Sequence, residues 1–252
     1  KKPTLTSSLE QIQKWRGLCG AALFLGIITN IKLNTFEFKP ICKLDASIRP
    51  SEFISLLAEA EKWPLGASLI WSWQKDIKVS AFIELDEESN INEIKRLFKN
   101  KPNYTQSYLL ESKSFFKLEN NNTKAINNMH SEVISLLGPS LSQNCIDLVN
   151  VIEERIAKRP NKYCCIASQQ LGGATSTIPR ESSSFIHRDS VWKPWITGFW
   201  TPGDMKERDK ALIWMEETWH AIEHFFPGIH LAQIHPHLDW HEKEVAGAFK
   251  EW

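Results

Sequence analysis

The chain has 252 residues, 42% hydrophobic and 24% charged, a balance that belongs to a folded domain and excludes a disordered one. Thirty Lys and Arg offset thirty Asp and Glu, so there is no basic excess to hold a polyanion, and nucleic-acid binding is not expected. The longest apolar stretch, residues 18–29, falls well short of the roughly 20 residues that a bilayer span needs.

In chain order, the glycine and β-branched content of residues 18–29 predicts a buried strand. Ile31, Leu33, Thr35, Phe36 and Phe38 then mark a strand that ends at Pro40. Arg49-Pro50-Ser51 opens a helix with Phe53, Ile54, Leu57 and Ala58 at helical spacing, closed by Pro64. Residues 69–73 and 77–85 read as two strands around a short turn, the second alternating Ile77, Val79, Ala81, Ile83 and Leu85 with polar neighbours. Residues 89–99 form an amphipathic helix. Residues 119–128 are rich in Asn and read as an exposed loop. Helices are predicted at 131–137 and 144–158, and paired strands at 163–174 and 183–188. A long helix at 205–225, a last strand at 229–234 and a closing helix at 238–252 complete the pattern. The class is α+β, with an antiparallel sheet and the helices largely on one face.

Cys19, Cys42, Cys145, Cys164 and Cys165 show no C-x-x-C spacing and read as buried free thiols. One long-range disulfide stays open if the protein is secreted, so the cysteines do not fix the compartment. Eleven tryptophans serve as core or as interface: Trp71 and Trp73 share one side of a strand, and Trp192, Trp195 and Trp200 crowd a segment that looks irregular.

Two stretches carry a family resemblance. The first is Trp15-Arg16-Gly17-Leu18-Cys19-Gly20, running on to Gly26-Ile27-Ile28-Thr29. The second is Gly172-Gly173-Ala174 followed by Ser183-Ser184-Phe185-Ile186-His187-Arg188. In order and spacing they resemble the end of the flavin domain and the substrate-domain strands of FAD-linked oxidases of the berberine-bridge and vanillyl-alcohol oxidase type. Residues 229–240 fall where that family places a Tyr-x-Asn-Tyr strand, here with Ala232-Gln233 in place of the Asn. The resemblance implies a remnant of a flavin-domain strand at residues 1–40, doubling as an association element, and a substrate-domain-like α+β domain at 41–252. It implies former flavin-facing positions at Gly26, Ile27, Ile28, Thr29, Gln233 and His235. A pocket wall follows at Trp71, Trp73, Gly172, Gly173, His187 and Arg188. The family's flavin site is diluted here, because Ala21, Ala22, Leu23 and Phe24 crowd the glycine cluster; no cofactor is expected unless an FAD domain precedes this chain.

Other chemistry is thin. His220 and His224 stand i, i+4 on the long helix, a spacing metal sites use, with His235, His237 and His241 beyond. Helix-end histidines are the alternative, and no H-E-x-x-H completes the set. No Gly-x-Ser-x-Gly elbow is present; His187-Arg188-Asp189 reads as acid–base machinery or, as in the family, as pocket wall. Three functions follow: a non-catalytic binding or assembly protein on a substrate-domain scaffold, the C-terminal half of an active FAD-linked oxidase, or a metal-assisted hydrolase. The apolar run Leu23, Phe24, Leu25 and Ile27, read as an unpaired strand edge, predicts a homodimer or another protein partner.

Overall fold

The computed structural model describes residues 7–35, 37–85, 88–111, 128–172, 176–185 and 187–230, with the side chains of 21–25, 88–90 and 180 left aside. Its elements run α1 (Leu9–Leu25), β1 (Ile41–Ile48), α2 (Pro50–Ala60), β2 (Ala67–Trp73), β3 (Ile77–Glu84), α3 (Glu88–Phe98), β4 (Thr105–Leu109), β5 (His130–Leu137), α4 (Cys145–Ala157), β6 (Cys165–Gln170), β7 (Trp192–Trp200), α5 (Met205–Ile222) and β8 (Gly228–Ile229). The strands form one sheet in the order β4-β1-β3-β2-β6-β7-β5-β8, and every pairing is antiparallel. The expected α+β class is what the chain adopts.

Period-two alternation decides which way the sheet faces. In β1, Cys42, Leu44, Ala46 and Ile48 are buried while Ile41, Lys43, Asp45 and Ser47 are half-buried, because successive side chains point to opposite faces. The buried set meets Ile77, Val79, Ala81 and Ile83 of β3 and Leu69, Trp71 and Trp73 of β2. α2 closes over this face, with Phe53 edge-on to Trp71 at 5.0 Å and to Trp73 at 6.0 Å. Pro50 presets the first turn of α2, and Glu52 turns back to accept from Arg49 N at 3.0 Å. α4 and α5 are stapled by Trp214 Nε1 donating to Arg155 O at 2.7 Å, and Asp204 caps α5 by accepting from Glu207 N at 2.9 Å.

Four sequence expectations are corrected. Residues 18–29 are not a strand: α1 runs to Leu25, and coil follows. Within 31–38, the described residues are coil, and the strand begins just after Pro40, where Cys42, Leu44, Ala46 and Ile48 carry the alternation. Residues 131–137 are strand β5, buried over most of both faces, so apolar residues fill both parities and mimic helical spacing. The described residues of 183–188 form a turn after a single 3-10 turn at Arg180–Ser182, and the partner strand of β6 is β7. The expected closing helix lies outside the described residues. β4 is an added edge strand.

Candidate functional site

The face away from the helices carries one cross-sheet row: Thr105, Asp45, Ser80, Ile70, Gln169 and Lys193 in register. The constant β5–β7 register places Leu137 opposite Lys193, and Leu137 pairs with Gly228. A parallel row holds Ser72, Ala167, Trp195 and Ser135. At the β1–β3 end, Asp45 accepts from Ser80 Oγ at 2.5 Å and pairs with Lys43 Nζ at 2.9 Å, while that ammonium lies 5.8 Å from the Phe82 ring. A depression of about 270 Å³ opens here, floored by Ile41, Ile70 and Phe82. Toward the other end Ala167, Ser135 and Thr197 are buried, and Trp195 and Lys193 are half-buried. Burial pulls the Lys193 ammonium below the usual lysine range.

A turn closes the β5–β8 corner. A Cβ on Gly228 would sit 2.6 Å from His187 Nδ1 and 3.0 Å from Leu137 Cβ, so the bare glycine makes room for the imidazole on the Leu137 side. Arg188 donates from Nε and Nη2 to Ser183 Oγ at 3.3 and 3.2 Å and lies 5.2 Å over the Phe185 ring. The Ser184 N–H inserts into α1, donating to Arg16 O at 3.0 Å and Cys19 O at 3.1 Å. Gly20, at φ +143°, permits this approach: a Cβ there would lie 2.3 Å from Phe185 N.

The residues singled out from sequence divide accordingly. His187 and Arg188 stand at this corner. Gly172 follows β6 with φ +125°, and Gly173 lies outside the described residues, as do Gln233 and His235. Trp71 and Trp73 are in the core against Phe53, on the opposite side of the sheet from the strip. Gly26, Ile27, Ile28 and Thr29 are exposed coil. Leu23, Phe24 and Leu25 belong to the end of α1, so the segment offers no strand edge for pairing. His220 lies 3.4 Å from Glu223 Oε1, and His224 falls in the turn beyond α5, off the helical face assumed for a ligand pair. Among the described residues no three His, Cys, Asp or Glu side chains come together as a metal site, and no helix is long and apolar enough to cross a membrane.

All five cysteines are free. Burial raises Cys42, Cys145, Cys164 and Cys165, taking Cys145 and Cys165 up to about 11, which keeps them as thiols rather than nucleophilic thiolates. Lys193, Gln169 and Ser72 escaped the sequence reading. Pro194 spoiled the strand pattern of 192–200, since proline is rarely found in an inner strand. The β5–β7 ladder indeed stops at Ser135–Trp195 and resumes only at the Gly138–Trp192 bridge, skipping the residue with no N–H. Once 192–200 is taken as a strand, Lys193, Trp195 and Thr197 fall on one face.

No family model matches the chain, and no curated protein matches it by sequence. Solved structures do match its fold. The wild-type BBE-like 1 protein of Physcomitrella patens shares 13% identity at a TM-score of 0.63, covering 85% of this chain and 51% of that one. GilR, an oxidoreductase of the terminal step of gilvocarcin biosynthesis, shares 10% at 0.61, covering 79% and 47%. Berberine bridge enzyme from Eschscholzia californica shares 17% at 0.57, covering 82% and 46%. The chain therefore has the fold of part of a berberine-bridge-type, FAD-linked oxidase, as the sequence resemblance implied, and spans about half the length of these structures.

Proposed function

We propose that this chain is a ligand-recognising domain of the FAD-linked oxidase type that, by itself, binds rather than catalyses. One observation carries the reading: the helix face of the sheet is filled with core, while the other face keeps a half-buried strip in which Ile70, Phe82 and Trp195 alternate with Ser72, Gln169 and Lys193. Mostly apolar walls with a few placed polar groups are how small-molecule sites are built. The described residues around the expected flavin-facing positions do not form a cradle. Gly20 is packed by the chain's own Phe185 backbone, and a Cβ on Gly26 would meet nothing within 4 Å. FAD added to the purified chain is expected to leave flavin fluorescence unquenched and the melting temperature unchanged. Binding in the low micromolar range, about −8 kcal/mol, refutes this reading.

Association belongs to the same proposal. Ile27, Ile31 and Leu33 are 94%, 65% and 78% exposed, an apolar run that a second copy would cover on both chains at once. Sedimentation at micromolar concentration is expected to show a dimer, and a clean 29.0 kDa species counts against it. The chain's coverage of only about half of its flavoenzyme neighbours favours a second reading, in which it is the C-terminal half of an active oxidase. The absorption spectrum of the natural gene product separates the two: a flavin band supports the second reading and its absence the first.

A further inference from the structure

Lys193 is the odd charge of the strip. Its neighbours across the sheet are Gln169 on β6 and Leu137 on β5. Among the described residues neither its ammonium nor the Gln169 side-chain amide has a hydrogen-bond or ion-pair partner. Among the described residues, the other charges of this face are paired, hydrogen-bonded or in solvent. Asp45 is held by Lys43 and Ser80, four strands away, and Glu84 is held by Lys39 Nζ at 3.3 Å. Lys78 stands exposed in solvent, and Arg188, at the β5–β8 corner, donates from Nε and Nη2 to Ser183 Oγ and lies over the Phe185 ring. A half-buried cation with no counter-ion is a cost unless something supplies the anion.

Resting on the ligand-recognition reading above, we propose that Lys193 and Gln169 form an anion subsite, and that the strip takes a flat apolar ligand bearing one carboxylate. Trp195, two residues along β7 and on the same face, and Ile70, next to Gln169, supply the apolar floor. Directly opposed strand residues have Cβ atoms about 5 Å apart, so the ammonium and the amide can reach the two oxygens of a single carboxylate. A single lysine balances one negative charge. A phosphate dianion would call for a second cation. Among the described residues the row through Gln169 carries none besides Lys193, and Lys78, in the row through Ala167, stands exposed three strands away on β3.

The test compares 2-naphthoate with neutral 2-naphthamide, followed by tryptophan quenching in wild type and in a Trp195→Phe control that assigns the signal to this face. Wild type is expected to bind the carboxylate about tenfold or more tightly than the amide, the size of one charge-assisted hydrogen bond. Lys193→Gln is expected to erase the preference, and Lys193→Arg to keep it. Equal binding of the two probes by wild type, or a preference that survives in Lys193→Gln, overturns the anion subsite while leaving the ligand wall standing. Quenching by neither probe overturns both. Melting curves confirm that each variant is folded, and Lys193→Met provides a second neutral replacement if Lys193→Gln is not.

Discussion

Glu61 shows how much of this fold hangs on one carboxylate. It caps the end of α2, and its Oε1 accepts from Leu141 N and from Trp192 Nε1, both at 2.6 Å, while Oε2 takes the Ser140 hydroxyl. α2, the approach to α4 and strand β7 are thus joined at a single side chain. Leu141 and Trp192 are buried, so Glu61→Ala leaves two donors without acceptors, at a cost of about 1–3 kcal/mol each. Ser140 is exposed and finds water. The expected loss is about 3 kcal/mol, or roughly 6–12 °C in melting temperature for a domain of this size. Glu61→Gln keeps a carbonyl oxygen and is expected to cost only about 1 kcal/mol. Urea unfolding followed by tryptophan fluorescence measures both. Equal costs for Ala and Gln, or a cost below about 1 kcal/mol for Ala, would show that these bonds do not hold the three elements together.

Gly20→Ala places a methyl group against the Phe185 and Ser184 backbone and is expected to undock α1, read as faster proteolysis within residues 7–35; unchanged cleavage refutes it. Arg49, then Lys101, hold the Glu52 carboxyl down to about 2. Its contribution is therefore present above the ordinary glutamate range and lost as pH falls from about 4.5 toward 2, so the stability gap between wild type and Glu52→Gln, about 1 kcal/mol at neutral pH, should close across that window. The buried cysteines Cys42, Cys145 and Cys164 are expected to resist iodoacetamide at about pH 8 until the protein unfolds; mass spectrometry finding native Cys164 alkylated would contradict its burial.

Sequence reading succeeded where one face alone is buried. In 77–84 the alternation of Ile77, Val79, Ala81 and Ile83 with Lys78 and Ser80 is unambiguous, and in 50–60 Pro50, Phe53 and Leu57 fix both the start and the inner face of a helix. It failed where burial is two-sided or absent. Val133, Ile134, Leu136 and Leu137 sit at spacings that a helix and a doubly covered strand share. The aliphatics of 27–33 promised a buried strand and instead face solvent, since nothing in local periodicity says whether a covering element exists. The site was legible only at one corner, through Phe185, His187 and Arg188. Its cross-sheet row joins residues more than a hundred positions apart in sequence, such as Asp45 and Gln169, and register is a tertiary property.

The two faces of the sheet are under different physical constraints. On the helix side, Trp71, Trp192 and Trp219 are fully buried, and changes in volume there cost stability directly. On the far side a residue contributes mainly through what it meets, so the charge of Lys193 is carried without entering the core. Pro194 links the two demands. Its carbonyl is held by Ser135 Oγ at 3.5 Å while its missing N–H leaves a gap in the ladder toward β5. That gap lies beside Lys193, in an inner strand that a regular ladder would otherwise seal. A locally interrupted ladder leaves the backbone beside Lys193 without the cross-strand bonds to β5 that hold the rest of β7. There Lys193 stands half-buried with no ion-pair partner among the described residues.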